Sequence, residues 1–352
     1  MNELLREDLK ECLQRTRPLW EELRGKSIFL TGATGFFGAW LLETLFYANR
    51  ELALQLRATI LTRNPESFRQ ALPHLAAEPS LTILAGDVRS FDFPTGDFDY
   101  VIHAATDASA KLSAEDPTLM FDTIVEGTRR VLEFARQAGT RKVLFLSSGA
   151  VYGMQPPEVS HLAEDAVSGP EPLNVASCYA EGKRAAELLC ALTAHTSAIE
   201  IKIARCYAFA GPYMKLDAHF AIGNFIRDSL RGGAIRMAGD GRAVRSYMYG
   251  GELMVWLWTI LFRGQSLRAY NVGSEEAVTI AELARAVSET LEPKAAVEIL
   301  GQPGTAPAHR YVPSTARAQK ELGLQCRVSL RESIRRTARW ARTTADEGKE
   351  VQ

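Results

Sequence analysis

The sequence predicts an α/β fold: a Rossmann-type, doubly wound parallel sheet with a smaller α+β lobe. Three observations lead to this prediction. Short apolar segments alternate with helical ones from Lys26 to Cys206, which is typical of a parallel sheet covered by helices on both faces. A glycine-rich run, Gly32 to Gly38, follows the first apolar segment. From Tyr207 onward the alternation gives way to shorter segments separated by Gly and Pro.

The alternation predicts the order of the elements. We predict strands over residues 27–31, 58–62, 81–85, 100–105, 142–147 and 201–206, the last of which should end the series. We predict helices over residues 38–48, 116–138 and 179–194. Residues 3–24 have apolar side chains at helical spacing, so an amphipathic helix should pack on the domain, with a partner-binding arm as the alternative. The stripe consists of Leu4, Leu5, Leu9, Leu13 and Trp20.

Composition argues against several classes of protein. The formal net charge of −1 offers no electrostatic footprint for nucleic acid or an anionic membrane. The five cysteines are dispersed without a CxxC pair, which fits reduced thiols and predicts no disulfide and no metal site. The first residues lack an apolar signal region, and the longest apolar run, Leu253 to Phe262, is too short to cross a bilayer. We therefore expect a soluble, cytoplasmic protein.

The run from Gly32 to Gly38 has the spacing of a dinucleotide fingerprint, with glycines at positions 32, 35 and 38. Such glycines allow a tight turn, close approach to a pyrophosphate and packing of helix on strand, while the helix N-terminus faces the phosphates. A predicted strand precedes the run and a predicted helix follows it, so we expect an NAD(P) site. Its residues should include Gly32, Thr34, Gly35, Phe36, Phe37 and Gly38.

The end of the second predicted strand bears on the choice between NAD and NADP. An NAD enzyme normally has an Asp or Glu there, which holds the ribose 2′-hydroxyl. This chain has Thr62-Arg63-Asn64 instead. A 2′-phosphate would meet no repulsion and Arg63 could pair with it, which favours NADP over NAD. The alternative is that Arg63 stacks on adenine or faces solvent.

Two further strand ends should line the cofactor. Asp87, followed by Val88, stands where an acidic side chain can hold the adenine amino group. Ala104 and Ala105 are small enough to let the backbone lie against the cofactor. We interpret His103, which precedes them, as a buried histidine whose hydrogen bonds are satisfied rather than as a catalyst.

Tyr179 and Lys183 stand four residues apart in a predicted helix and should share one of its faces. A phenol titrates near pH ~10, and a neighbouring ammonium stabilises the phenolate, so we expect the pKa of Tyr179 to be lowered. Such a tyrosine can exchange protons with a sugar hydroxyl while a nicotinamide exchanges hydride. The pair therefore predicts a redox enzyme.

These motifs resemble those of the extended short-chain dehydrogenase/reductases, specifically the nucleotide-sugar epimerase/dehydratase family. The resemblance extends over residues 25–324. Besides the motifs above, it rests on Ser147-Ser148-Gly149-Ala150-Val151-Tyr152-Gly153, Ala204-Arg205-Cys206, Gly211-Pro212, Asn224-Phe225-Ile226, Gly239-Asp240-Gly241 and Arg245-Ser246-Tyr247. It implies that Ser148 hydrogen-bonds the reacting sugar oxygen and that Tyr179 is the general acid/base. By the same resemblance, Lys183 also holds the nicotinamide ribose.

The expected domain organisation follows from these assignments. Residues 1–24 should form the N-terminal helix, and residues 25–206 the NAD(P)-binding Rossmann domain, with 153–175 partly in the second lobe. Residues 207–343 should form mainly the substrate-binding lobe, and residues 344–352 a frayed tail.

The resemblance also implies the substrate and the assembly. Substrates of the family are sugars carried on UDP, dTDP, CDP or GDP. Asn224 and Phe225 match contacts to the diphosphate and the base, and Arg245 and Arg310 match cations that clamp the diphosphate. The segment from Asn224 to Tyr249 looks most like UDP-glucuronate decarboxylases. A homodimer joined through the helices at 116–138 and 179–194 is the family's habit.

Two positions depart from the family in a way that changes the expected reaction. Dehydratases of the family carry an Asp-Glu pair directly after the Ser or Thr of the site, and the decarboxylases keep the Glu. This chain has Gly149 and Ala150. Losing a positioned acid or base forfeits about 10²–10⁴-fold in rate, so hydride exchange at sugar C4 is the favoured reaction. The enzyme would be a 4-epimerase or a 4-ketoreductase of an NDP-hexose or 6-deoxyhexose.

Several alternatives stay open at this point. A decarboxylase or 4,6-dehydratase type of reaction is the alternative chemistry, and a non-catalytic dinucleotide sensor or scaffold is the alternative class. Asp107, Ser109 and Lys111 follow a predicted strand end and could supply polar contacts to the sugar, although a surface-loop role is an equal alternative.

Overall fold

The computed structural model of the chain describes residues 2–105, 110–218, 220–302, 304–305 and 307–347. The strands in this part, in chain order, are β1 (Ser27–Thr31), β2 (Arg57–Thr62), β3 (Leu81–Ala85), β4 (Tyr100–His103), β5 (Lys142–Ser148), β6 (Glu200–Cys206), β7 (Phe209–Ala210), β8 (Ile235–Met237), β9 (Val244–Arg245), β10 (Met248–Tyr249), β11 (Ala269–Val272), β12 (Val278–Thr279), β13 (Val297–Ile299) and β14 (Arg310–Tyr311). The helices are α1 (Glu3–Thr16), α2 (Phe36–Leu52), α3 (Pro65–Ala71), α4 (Pro73–Ala76), α5 (Ala110–Glu115), α6 (Pro117–Gln137), α7 (Cys178–His195), α8 (Ala221–Leu230), α9 (Gly250–Arg263), α10 (Ile280–Thr290), α11 (Ala316–Leu322) and α12 (Leu330–Glu347).

Seven parallel strands of the described chain form the central sheet, in the spatial order β11-β6-β5-β4-β1-β2-β3. The chain winds outward in both directions from β1, which pairs with β2 on one side and β4 on the other. This is the predicted Rossmann-type, doubly wound sheet, and the prediction is confirmed. In such sheets ligands bind beyond the carboxyl ends of the strands, where the winding direction reverses.

The expected end of the strand series was wrong. We expected it to finish at Cys206, but β11 adds a seventh strand, parallel to β6. Its four residues, Ala-Tyr-Asn-Val, are too few to show the alternation of apolar and polar side chains that predicts a strand. Turn residues flank them in the sequence. Tyr270, Asn271 and Val272 are nevertheless buried, because α9 and β6 pack against this strand. The segment 207–343 thus supplies part of the central sheet as well as the lobe.

The apolar helix α9 occupies the centre of one layer. It contacts β5, β6, α1 and α2, and almost all its side chains are buried, which explains the longest apolar run of the sequence. The predicted stripe of the N-terminal segment is buried too, at Leu4, Leu5, Leu9, Leu13 and Trp20. The ring centroids of Trp20 and Trp258 lie 4.8 Å apart where the two segments meet. Among the helices that the structure describes, none combines the length and apolarity that a bilayer-spanning segment needs.

The smaller lobe is built from short strands and three helices. Its sheets have the orders β10-β7, β12-β9-β14 and β13-β8, and α8, α10 and α12 contact one another beside them. In β9 and β14, Arg245 pairs with Tyr311 and Val244 pairs with Arg310. Because successive residues of a strand point to opposite faces, Arg245 and Tyr311 share one face and Arg310 belongs to the other.

A buried polar network ties the loop of residues 153–175 to the central sheet. Arg205 of β6 donates two hydrogen bonds to Glu187 of α7 (3.0 and 2.7 Å) and one to the hydroxyl of Tyr152 (2.8 Å). Tyr152 donates to the side chain of Asn271 in β11 (2.8 Å), whose backbone N–H donates to Glu164 (2.9 Å). The loop is therefore held at the carboxyl ends of β6 and β11.

The last described helix includes the first part of the segment that we expected to be a frayed tail. Helix α12 continues to Glu347, so residues 344–347 are helical. The last part of that expected tail, residues 348–352, lies outside the described residues.

Candidate active site

The glycine-rich turn after β1 is packed so closely that side chains are excluded. Gly32 has a φ of 78°, and a Cβ on it would lie 2.5 Å from the carbonyl oxygen of Ala104. A Cβ on Gly38 would lie 2.3 Å from the carbonyl oxygen of Gly32. Helix α2 starts directly after Gly35, which provides no side-chain cap, so the first N–H groups of the helix are available to an anion. These residues fit a dinucleotide pyrophosphate.

The phenylalanines of the turn pack on the lobe. The rings of Phe36 and Phe37 both contact Phe209 of β7, with centroid distances of 6.4 and 5.2 Å. Thr34 is exposed at the turn. The turn is thus fixed from the lobe side, while the N-terminus of α2 stays open.

The ends of β2 and β3 bring two arginines beside one carboxylate. Asp87 accepts two hydrogen bonds from the Arg89 guanidinium, at 2.9 and 3.0 Å. The Arg89 pair lowers the pKa of Asp87, and the charge of Arg63 lowers it further. Arg63 itself is exposed. Val88 is buried against Gly127 of α6, where a Cβ would lie 2.9 Å from it, so its side chain serves packing.

Ser148, Tyr179 and Lys183 meet beyond the end of β5. Ser148 is the last residue of β5, Tyr179 is the second residue of α7, and Lys183 lies one helical turn later. Lys183 is 3% exposed, and its Nζ donates to the carbonyl oxygen of Leu146 (2.7 Å). Burial lowers the pKa of Lys183 to about 8, because desolvation disfavours the ammonium form. The helix and the strand end thus assemble the predicted trio.

The expected direction of the Tyr179 pKa shift was wrong. Burial raises the pKa of Tyr179 above its usual value of 10, and hydrogen bonding with Ser148 opposes that shift. The ammonium of Lys183 donates to the Leu146 carbonyl, and its charge does not offset the desolvation of Tyr179. In the protein alone, Tyr179 therefore keeps its proton at neutral pH.

His103 has the structural role that the sequence suggested. It is buried, its Nδ1 lies 2.7 Å from Thr31 Oγ1, and its Nε2 lies 3.1 Å from Thr128 Oγ1. Burial, with a smaller effect of the Lys183 charge, lowers the pKa of His103 to about 3. The same Thr31 hydroxyl accepts a hydrogen bond from the backbone N–H of Ala105 (3.1 Å). His103 is thus neutral and helps to hold the strand end that carries Ala105.

Two tyrosine rings fill the space beside Gly149. A Cβ on Gly149 would lie 2.6 Å from Cζ of Tyr207 and 2.8 Å from the phenol oxygen of Tyr311. The two rings pack together with centroids 4.5 Å apart at 32°. The hydroxyl of Tyr311 lies 3.4 Å from Ser148 Oγ, whereas the hydroxyl of Tyr207 is buried without a hydrogen-bond partner among the described residues. Burial raises the pKa of both phenols.

The guanidinium of Arg245 donates hydrogen bonds to backbone carbonyl groups, which are uncharged. It donates to the carbonyl oxygens of Val244 (2.8 Å) and His309 (3.1 Å), and no carboxylate of the described residues lies within ion-pair distance of it. Partial burial lowers its pKa. Arg310, on the other face of the strand pair, donates to the Ser160 carbonyl (3.4 Å). The two arginines predicted to act together thus leave the sheet on different sides.

The other predicted substrate contacts have varied positions. Asn224 is half-buried and accepts a hydrogen bond from Arg227 (3.1 Å). Phe225 is 4% exposed within the core of the lobe, so its side chain serves packing. Asp107 and Ser109 lie outside the described residues, as does the side chain of Lys111. In the described part of the chain, no three His, Cys, Asp or Glu side chains are grouped as a metal site.

A family model matches most of the part of the chain that carries these residues. The model of the NAD dependent epimerase/dehydratase family matches residues 28–273, which is more than half of the chain. The chain belongs to this family. The match begins in β1 and ends just after β11, and therefore contains the glycine-rich turn, Ser148, Tyr179 and Lys183.

Curated relatives in the epimerase/dehydratase family include plant enzymes. UDP-glucuronic acid decarboxylase 2 of Arabidopsis thaliana is 30% identical over 320 residues, which cover 90% of this chain and 68% of that protein. UDP-glucuronic acid decarboxylase 6 of the same plant is 30% identical over 307 residues, which cover 87% of this chain and 86% of that protein.

Solved structures of the family have the same fold. DesIV of Streptomyces venezuelae, a dTDP-glucose 4,6-dehydratase solved with NAD bound, superposes with a TM-score of 0.78 at 23% identity, covering 92% of this chain and 99% of that one. UDP-glucose 4-epimerase of Thermotoga maritima, solved with UDP-glucose, gives a TM-score of 0.75 at 20% identity, with coverage of 91% and 99%. At these identities the likeness concerns the fold.

Sequence reasoning missed three side chains near these residues. Tyr311 of β14 approaches Ser148, and Tyr207, just after β6, packs behind it against Gly149 without contacting Ser148, Tyr179 or Lys183 through its hydroxyl. Neither tyrosine lies in a motif that predicts such a contact. Arg89 was missed although it follows Asp87 at a spacing of two, which a charge-pair search of the turn would have found. The tyrosine pair had no comparable local signal, because its partners are distant in sequence.

Proposed function

We propose that this chain is an NAD(P)-dependent enzyme that exchanges hydride at C4 of a nucleotide sugar, as a 4-epimerase or a 4-ketoreductase. The observation that carries the proposal is the combination of Ser148, Tyr179 and Lys183 with a site wall that has no acid at positions 149 and 150. The rings of Tyr207 and Tyr311 occupy the space beside Gly149. Hydride exchange needs one acid/base, whereas elimination needs a second.

The chemistry divides between cofactor and protein. A bound nicotinamide would supply or accept the hydride at C4. Tyr179 would give a proton to, or take one from, the C4 oxygen, and Ser148 would hydrogen-bond that oxygen. Lys183 stands one turn away, with its ammonium directed to the Leu146 carbonyl (2.7 Å). Burial raises the pKa of Tyr179, which favours proton donation over proton removal, and donation is the direction that reduces a 4-keto sugar.

We propose NADP as the preferred cofactor and NAD as the alternative. The end of β2 carries Thr62-Arg63-Asn64, so no carboxylate at this turn would repel a 2′-phosphate. Arg63 is exposed and close enough to Asp87 to lower its pKa. The second arginine, Arg89, neutralises that same carboxylate through two hydrogen bonds. The local charge is therefore positive where a 2′-phosphate would lie.

Arg245 is our candidate for the diphosphate of the substrate. Its guanidinium is half-buried beside Tyr311 and paired only with carbonyl groups among the described residues, so a diphosphate would provide its missing counter-charge. Asn224 and Arg310 remain further candidates, as do Ser109 and Lys111. The curated relatives act on a UDP-sugar by name, which makes UDP the first nucleotide to test.

A second reaction has a specific observation in its favour. The relatives that are 30% identical are UDP-glucuronic acid decarboxylases. Such a reaction would begin with the same hydride removal at C4 and would then lose the C5 carboxylate as carbon dioxide. It would have to proceed here without a carboxylate at position 149 or 150.

We further propose that the enzyme is a homodimer joined through α6 and α7. Leu188 and Leu192 lie one turn apart on α7 and are 61% and 55% exposed. Such a pair at helical spacing suits burial against a second copy. Nucleic acid and membranes are not expected partners, given the near-neutral charge.

The proposed function can be tested by product analysis. The purified protein is incubated with UDP-glucose and UDP-glucuronate plus NAD⁺ or NADP⁺, and separately with dTDP-4-keto-6-deoxyglucose plus NADPH or NADH. A C4 epimer of unchanged mass identifies an epimerase, and reductant consumed in step with the keto sugar identifies a ketoreductase. Release of carbon dioxide from UDP-glucuronate would replace the proposal with the decarboxylase. Cofactor binding without any turnover would leave only the dinucleotide sensor.

A further inference from the structure

Three hydroxyl groups meet at the end of β5. The Ser148 hydroxyl is close enough to Tyr179 to lower the pKa of that phenol, and its Oγ lies 3.4 Å from the phenol oxygen of Tyr311. We propose that Tyr311 is a positioning residue, which makes Ser148 a hydrogen-bond donor toward the reacting oxygen. The proposal rests on the proposed exchange of hydride at a sugar carbon, because that reaction gives Ser148 its partner.

Counting donors and acceptors leads to this role. A serine hydroxyl has one proton to donate and two lone pairs that accept. The backbone N–H of Ala150 donates to Ser148 Oγ (3.1 Å) and uses one lone pair. If Tyr311 donates to the other, Ser148 has only its own proton left to offer. That proton must then go to Tyr179 or to a sugar oxygen beside it.

Tyr311 is well placed to act as a donor. Burial raises the pKa of its phenol, so it keeps its proton at neutral pH. Its ring is fixed by packing against Tyr207, and its strand β14 is held by pairing with β9. The 3.4 Å distance is long for such a bond, and contacts of this kind commonly shorten when substrate binds.

A competing arrangement makes the opposite prediction. The Tyr311 hydroxyl also lies 3.5 Å from the carbonyl oxygen of Cys206 and could donate there. Tyr311 would then accept the proton of Ser148 and draw it away from Tyr179. Removing the Tyr311 hydroxyl would in that case assist Ser148 rather than impair it.

The test compares Tyr311→Phe with Tyr207→Phe. Both variants remove one hydroxyl from this pair of packed rings, but the Tyr207 hydroxyl has no hydrogen-bond partner among the described residues. We expect Tyr311→Phe to lower kcat by roughly five- to tenfold, the size for one hydrogen bond, with KM little changed. The pH–rate profile should also move to higher pH for sugar oxidation, because Tyr179 loses the assistance of Ser148. Tyr207→Phe should keep both kcat and profile.

A double-mutant cycle tests whether Tyr311 affects kcat through Ser148. In a Ser148→Ala background, Tyr311→Phe should have no further effect on kcat. Equal additional loss in both backgrounds would overturn the proposal, and so would an unchanged or faster Tyr311→Phe enzyme.

A measurement without turnover separates this proposal from the proposed function. Ultraviolet difference titration of the ligand-free protein, with Tyr179→Phe as the reference that assigns the signal, reports the pKa of Tyr179. Tyr311→Phe should raise that pKa and Tyr207→Phe should not. A raised pKa in an enzyme that turns over no nucleotide sugar would support the positioning of Ser148 while refuting the proposed reaction. An unchanged or lowered pKa would refute the positioning itself.

Discussion

The ring of Tyr207 lies where a side chain at position 149 would have to extend, with Cζ 2.6 Å from the place of a Cβ on Gly149. The absence of an acidic side chain at position 149 is thus linked to the position of the Tyr207 ring and is not an isolated substitution. A carboxylate could return at position 149 only if Tyr207 moved. Tyr311, whose hydroxyl is 2.8 Å from the same point, would have to move with it.

This packing makes a prediction about stability. Gly149→Ala should lower the free energy of unfolding by about 1–3 kcal/mol, because an added methyl must displace one of the two packed rings. The matched control is Gly239→Ala, where a Cβ would meet no heavy atom within 4 Å. Chemical denaturation of both variants measures the difference. Equal stability of the two would contradict the described contact between Gly149 and Tyr207.

The second prediction concerns the acid/base. Tyr179→Phe should lower turnover by about 10²–10⁴-fold, because the phenol oxygen that moves the proton is removed. Dinucleotide binding, followed by fluorescence, should be retained. Tyr47→Phe, on α2, is the control for loss of a half-buried phenol elsewhere. A Tyr179→Phe protein with undiminished turnover would rule out the proton-transfer role.

The third prediction is a dependence of stability on pH. His103 has a pKa of about 3 in the folded protein against an ordinary 6.5, so the unfolded chain binds one more proton between these values. Its contribution to the free energy of unfolding should therefore fall as pH is lowered from 6.5 toward 3, by up to about 1.4 kcal/mol for each pH unit. The difference between wild type and His103→Asn isolates this residue. Parallel stability curves for the two proteins over this range would contradict it.

The sequence predicted those features that depend on residues close to one another in the chain. The spacing of Gly32, Gly35 and Gly38, and of Tyr179 and Lys183, predicted their elements because turns and helix faces depend on near neighbours. Contacts between distant segments left no such signal. The hydroxyls of Ser148 and Tyr311 are 163 residues apart in the chain, and no period or motif relates them.

Side-chain direction was equally beyond the sequence. The i, i+4 spacing places Lys183 on the face of Tyr179, but it does not show that the ammonium donates to the Leu146 carbonyl on β5. The sign of the Tyr179 pKa shift follows from burial, which the spacing does not show either. The register of β9 with β14 places Arg245 and Arg310 on different faces. Each of these strands has only two residues, so the sequence does not predict how they pair.

The fourth prediction tests the cofactor. Arg63→Ser should weaken binding of NADPH by roughly tenfold or more, because one charge-assisted contact to the 2′-phosphate is lost. Binding of NADH, which lacks that phosphate, should be little changed, so the same variant supplies its own control. Titration calorimetry with both cofactors measures the two affinities. Equal losses for NADH and NADPH would mean that Arg63 contacts the adenine instead.

The fifth prediction concerns assembly through α7. A glutamate at Leu188 or Leu192 would place a charge in the proposed contact between two copies, and burying it unpaired is costly. Leu188→Glu and Leu192→Glu should therefore give a monomer in sedimentation velocity where the wild type gives a dimer. Leu300→Glu is the matched control, since Leu300 is also 61% exposed but follows β13 in the lobe. If all three variants remained dimeric, the contact would lie on another surface; a monomeric wild type would remove the homodimer altogether.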